Sequence, residues 1–110
     1  MIWTESEIDL ARKLQLKGLE TKASLRPQIG SCLLTKSPSP HLPLGDGIVL
    51  VTHESLPEKY TWLPSLDEAL QICRTLHISF AQITDYIHRK RYADGREREG
   101  VYQLLLEVLR

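Results

Sequence analysis

Apolar residues recur along this chain in two periods, and the switches between them mark its elements. Thr4-Glu5-Ser6-Glu7 has the form of a capping box, with Thr4 as N-cap and Glu7 three residues on. Ile8, Ala11 and Leu14 follow at helical spacing, with Leu10 beside them. Arg12, Lys13 and Lys17 fall toward the negative end of the helix dipole, and Gly18 supplies a stop. These signals predict a first helix over about 5–17. From Leu19 to Leu25 the pattern is ambiguous. Arg26-Pro27 ends whatever precedes it, because a residue before proline avoids the helical region.

The period then changes. Gln28 to Thr35 reads as a short strand carrying Ile29, Cys32, Leu33 and Leu34. Lys36 to Pro43 reads as a stiff irregular loop, since Pro38, Pro40 and Pro43 cannot donate ladder hydrogen bonds. Gly45-Asp46-Gly47 closes it with turn chemistry. Ile48-Val49-Leu50-Val51-Thr52 is the clearest strand, β-branched, continuous and bounded by turn residues, and is expected to be covered on both faces. The two strands are expected to pair as a long-looped antiparallel hairpin. Glu54 to Tyr60, polar and broken by Pro57, reads as loop.

Helical spacing returns after Pro64. Ser65 and Glu68 form a second capping box, and Leu66, Ala69, Leu70, Cys73 and Leu76 make an apolar stripe. Ser79-Phe80-Ala81-Gln82 is a third box, followed by Ile83, Tyr86 and Ile87 in a helix to about Tyr92. Asp94-Gly95 is a turn signal. Val101, Leu104, Leu105, Val108 and Leu109 form the stripe of a last helix. Tyr102 and Leu106 widen that stripe. This helix is therefore expected to be buried on more than one side, within the fold or through self-association with a second copy in a homodimer.

The reading is thus an α+β domain spanning 1–110: one N-terminal helix, a small antiparallel strand pair and three C-terminal helices. A mostly helical bundle carrying a hairpin is the alternative.

Composition narrows the function classes. The chain has 110 residues, a length that suits one core. Fourteen basic and fourteen acidic residues cancel, so no global field draws it to nucleic acid and any such binding needs a local patch. No apolar run approaches the ~18 residues that span a bilayer, and the acidic start is unlike a secretory signal. The expected location is cytoplasmic, with no membrane partner, and Cys32 and Cys73 are expected to be free and mostly buried.

Motifs that carry chemistry are scarce. No phosphate-binding loop or dinucleotide fingerprint is present. His53-Glu54 has the opening of a zinc-peptidase helix, but Pro57 stands where the second imidazole is required. Cys73 and His77 share a helical spacing without two further ligands. Ser31, Cys32, His41, Asp46, His53 and Glu54 supply parts for nucleophilic catalysis but no nucleophile elbow. Hence no catalytic residue, metal ligand or cofactor is assigned.

One pattern points to a ligand class. Residues 66–92 hold two short helices joined by Leu76-His77-Ile78-Ser79, a spacing that resembles the helix-turn-helix unit of DNA-binding proteins. That unit usually has glycine where His77 stands, because the backbone there is left-handed. The resemblance implies that Gln82 reads adenine and that Arg89, Lys90 and Arg91 contact the phosphate backbone. The first expectation for function is a non-enzymatic interaction module that docks on a partner protein or on itself. A nucleic-acid binder of the helix-turn-helix kind is second, and a small enzyme or metal protein with an unrecognised site is third.

Overall fold

A computed structural model describes residues 3–36 and 40–109. Its elements are α1 (Glu5–Leu16), α2 (Leu19–Ala23), β1 (Cys32–Leu34), β2 (Leu42–Gly45), β3 (Ile48–Leu50), β4 (Thr61–Leu63), α3 (Leu66–Thr75), α4 (Phe80–Arg89) and α5 (Glu97–Val108). The fold is α+β, as the sequence predicts. All three capping boxes form, with Thr4, Ser65 and Ser79 each accepting from the backbone N–H three residues on. Pro38 and its neighbours Ser37 and Ser39, part of the expected proline loop, lie outside the described residues.

The sheet is larger than a strand pair. Its order is β2-β3-β1-β4, antiparallel throughout. The expected β1–β3 pairing is present, with Leu33 opposite Val49. The two extra strands come from segments whose composition argues against a strand. β2 contains Pro43 within the expected loop, and β4 is the three-residue stretch leading into α3. Both are edge strands, where short length and proline are tolerated.

The first strand is shorter than expected for a local reason. Ser31 N–H bonds Gln28 C=O at 2.9 Å, closing a turn with Gly30 at φ +96° in third position. Gly30 N–H then bonds Val51 C=O and Val51 N–H bonds Ser31 C=O, each at 2.9 Å, so two residues oppose one in a glycine bulge. The left-handed backbone needed there suits glycine and expels Gln28 and Ile29 from the ladder. The ambiguous stretch after Gly18 resolves into the single helical turn of α2.

The sheet edges are closed in different ways. Trp62 N–H, on the outer side of β4, donates to Gln15 Oε1 of α1 at 3.2 Å. Gln15 Nε2 donates to Glu20 Oε2 at 2.9 Å, and Tyr60 hydroxyl donates to Glu20 Oε1 at 2.8 Å. Alternation from Trp62 through β1 and β3 puts Pro43, opposite Val49, at a position whose N–H would point outward from β2. Proline removes that donor, so strand addition along this edge is disfavoured.

The last helix is central. α5 packs against α1, α3 and α4. Its Tyr102 is fully buried and Leu106 half-buried against the same core, so the chain covers the Tyr102 side of the helix fully and the Leu106 side in part. At Gly100 an added Cβ would lie 3.1 Å from Tyr92 Cδ2 and 3.2 Å from Ile87 Cγ1, so a larger residue would make these side chains give by a few tenths of an ångström. Both cysteines are free. Cys73 is buried and Cys32 half-buried, and burial pushes both thiols above their ordinary range.

Two polar contacts pin α5 at its start. Tyr102 hydroxyl accepts from Trp3 Nε1 at 3.2 Å and donates to Pro64 C=O. Arg98 grips Glu7 of α1 through Nε to Oε2 at 2.5 Å and Nη2 to Oε1 at 3.0 Å, with its guanidinium 4.5 Å above the Trp3 ring. Burial alone would raise the Glu7 pKa. The bonds from Arg98, the Thr4 N–H and the Arg98 charge outweigh it and hold the carboxyl below its usual range. Replacing Tyr102→Phe should cost about 1–3 kcal/mol in denaturant melts, since two buried groups lose their partner. A depressed carboxyl pKa contributes stability above the unfolded value, and that contribution is lost as pH falls through the folded value. Thermal melts should therefore show stability declining below about pH 5, and Glu7→Gln should flatten that decline.

Candidate functional site

The helix-turn-helix residues are where the sequence puts them locally. α3 ends at Thr75 with Leu76 as its C-cap, His77 takes a left-handed φ of 63°, and Ser79 caps α4. His77 N–H bonds Arg74 C=O at 3.1 Å and Ile78 N–H bonds Cys73 C=O at 2.9 Å, which is a Schellman motif. Beyond the turn the likeness weakens. No Cα of α3 comes within 8 Å of a Cα of α4. Each helix instead lies against α5, with Ile83 and Tyr86 of α4 buried and the Tyr86 hydroxyl facing Glu107 of α5.

The side chains assigned to nucleic acid are exposed but engaged. Gln82 Oε1 accepts from Ser79 N–H at 2.7 Å, and bidentate reading of adenine needs both halves of that amide. Arg89 pairs with Asp85 at 2.9 Å. Lys90 lies 5.8 Å from the Tyr86 ring centroid. Arg91 shares its cleft with Asp94 and Glu97. Arg96 pairs with Glu99, and Arg98 is spent on Glu7. The structure thus interleaves acids through the segment that the sequence marks as basic. Of the residues marked for self-association, Tyr102 lies in the chain's own core and offers no surface to a second copy, while Leu106 packs half-buried against that core.

Two of the residues that could serve catalysis, Ser31 and His41, brace the fold. Ser31, 2% exposed, accepts from Gln28 N–H through Oγ at 2.9 Å and donates to Glu68 Oε2. Glu68 Oε1 completes the α3 capping box, so the bulge is tied to the helix start. Buried His41 accepts from Thr52 N–H at Nδ1, 3.1 Å, which assigns the proton to Nε2, facing Ser55 C=O at 2.7 Å. His53 stacks on it at 4.2 Å between centroids. With Glu54, Arg26 and Ile29, His53 lines a cleft of about 520 Å³. Among the described residues, no three His, Cys, Asp or Glu side chains gather as metal ligands.

Sequence reasoning missed a different surface. Leu42 and Leu44 of β2 are 51% and 49% exposed. Register sets Leu42 opposite Leu50, and Leu50 opposite Cys32, on the sheet face opposite Val49 and Leu33. Ile48 and Leu34 lie on that same face, one pair further along. It is deep in the core at β4, where Leu63 is fully buried, and grows wetter toward β2. Beside it opens a cleft of about 710 Å³ lined by Arg12, Lys36, Lys59, Asp46, Tyr60 and Leu34, among others. The leucines alternating about Pro43 carried the strand signal, but the surrounding prolines outweighed it.

The turn that joins α3 to α4 carries its own cost. A left-handed residue with a Cβ is disfavoured by ~1–2 kcal/mol, partly offset by the greater unfolded-state entropy of glycine. His77→Gly should therefore raise stability by about 0.5–1 kcal/mol in chemical denaturation while leaving the helices intact. No family model matches the chain, and neither a curated protein nor a solved structure matches it.

Proposed function

We propose that the protein is a non-enzymatic docking module whose contact surface is the open face of the β2–β3 hairpin, and that its partner is another protein. One observation carries the reading. Leu42 stands about half exposed opposite Leu50, and Leu44, the unpaired residue where the register shifts between Pro43 and Gly45, is about half exposed two residues on; neither belongs to the chain's own core. Exposed aliphatic side chains grouped on a rigid strand mark interaction sites more often than chance surface exposure does. Pro43 disfavours approach along the strand edge, so the partner meets the face.

Three further facts favour docking over chemistry or nucleic acid. Ser31, Glu68, His41, Glu7 and Arg98 each hold backbone or side-chain partners that serve the fold. The basic segment after α4 is threaded with acids. Gln82 is committed to a cap.

A photo-crosslinking residue placed at Leu44 in cells of the native host tests the reading, with the same residue at Phe80 as control. Phe80 is 71% exposed on α4, whose packed neighbour is α5 rather than the sheet. Adducts of defined mass to another protein are expected at position 44, lost on Leu42→Lys and absent at position 80. Adducts at both positions alike, at neither, or between copies of this chain alone would overturn it.

A further inference from the structure

The open hairpin face does not end in neutral surface. At the hairpin turn it runs into the 710 Å³ cleft, which shares Leu34 and the Asp46-Gly47 turn with it. Three cations line that cleft, Arg12 from α1, Lys36 beyond β1 and Lys59 before β4, with Asp46 as the carboxylate in the lining, Asp9 beside Arg12 and Glu20 behind the Tyr60 hydroxyl. Arg12 stands 3.9 Å from Asp9, with both side chains more than half exposed, a pair weak enough to exchange for another carboxylate. Lys36 and Lys59 are exposed, and neither forms an ion pair among the described residues. Three separate segments deliver these charges to one place in a chain whose net charge is zero.

We infer that the partner segment is acidic as well as apolar: its aliphatic side chains lie on Leu42, Leu44 and Leu50 while adjacent carboxylates enter the cleft between Arg12, Lys36 and Lys59. This rests on the docking reading above and adds the partner's chemistry to it. Charge complementarity argues for this occupant. A second copy would bring the same cations against themselves unless it also brought an acidic face. A polyanion without apolar groups would leave the leucines wet. The apolar contact supplies affinity, and the cations select the partner, speed its encounter and fix its direction. Tyr60 also lines the cleft, its hydroxyl held by Glu20 and therefore not free to act as a further donor to the ligand.

The probe is a random twelve-residue peptide library displayed on phage and selected on the full chain. Enriched peptides are expected to combine Asp or Glu with Leu, Ile, Val or Phe. Their affinity should fall about tenfold or more on Lys36→Glu with Lys59→Glu, and fall with added salt. It should also fall on Leu42→Ser with Leu44→Ser, with circular dichroism confirming that each variant is folded. Apolar peptides without acid preference, indifferent to the lysines but dependent on the leucines, would overturn this inference and leave the docking reading standing. Acidic peptides indifferent to the leucines would overturn the docking reading itself. No enrichment, or preferential binding of a single-stranded oligonucleotide by the same cleft, would overturn both.

Discussion

The hydroxyl of Tyr102 joins three parts of the chain that are distant in sequence. It receives the Trp3 indole N–H from the N-terminus and gives its own proton to the Pro64 carbonyl between β4 and α3. Beside it the Arg98–Glu7 pair binds α5 to α1, with the guanidinium over the Trp3 ring. A buried phenol is favourable only when both its donor and its acceptor roles are filled. Here both are, one by Trp3 just before α1 and the other by Pro64 between β4 and α3. α5 is therefore fixed in depth and rotation, and α1, α3 and α4 take their places against it.

That arrangement divides the sheet into a covered half and an open half. On the β4 side, α1 closes the edge through Gln15, and both faces at Trp62 and Leu63 are buried. On the β2 side no helix packs on the strand among the described residues, and all four residues of β2 are exposed. An uncovered strand invites uncontrolled pairing. Pro43 and the irregular register between Pro43 and Gly45 answer that hazard along the edge. The face is left open, and the proposed docking rests on this asymmetry of the sheet.

Electrostatics follow the same division. Acids and bases near the helices are matched locally, at Asp85–Arg89, Arg96–Glu99 and Glu7–Arg98. The cations around the hairpin cleft are less fully matched, with Asp46 as the acid in its lining. Lys36 and Lys59, which form no ion pair among the described residues, thus stand near the exposed leucines in a chain of zero net charge. Surface charge of this kind contributes little to stability, so its placement is free to serve recognition.

The helices were legible in the sequence because their signals are local. A capping box lies within four residues and an apolar stripe within two turns, and Thr4, Ser65 and Ser79 each formed the cap that their spacing predicts. The pairing of 48–50 with 32–34 was legible for the same reason, from β-branched and apolar runs bounded by turns. The left-handed turn at His77 was also anticipated from position. What the sequence left open depends on partners far along the chain. β2 and β4 are strands because β3 and β1 offer them ladder positions, which overrides a composition that reads as loop. The basic run 89–98 is screened by acids that its own sequence only partly shows, Glu7 being 91 residues from Arg98. Arg12, Lys36 and Lys59 look unremarkable where each stands, and meet because the sheet brings the end of β1, the approach to β4 and the side of α1 together. Local hydrogen bonding and periodicity act within a few residues and so can be read from order alone. Burial, pairing and the field at a cleft are sums over residues that folding makes neighbours, and those only the tertiary structure decides.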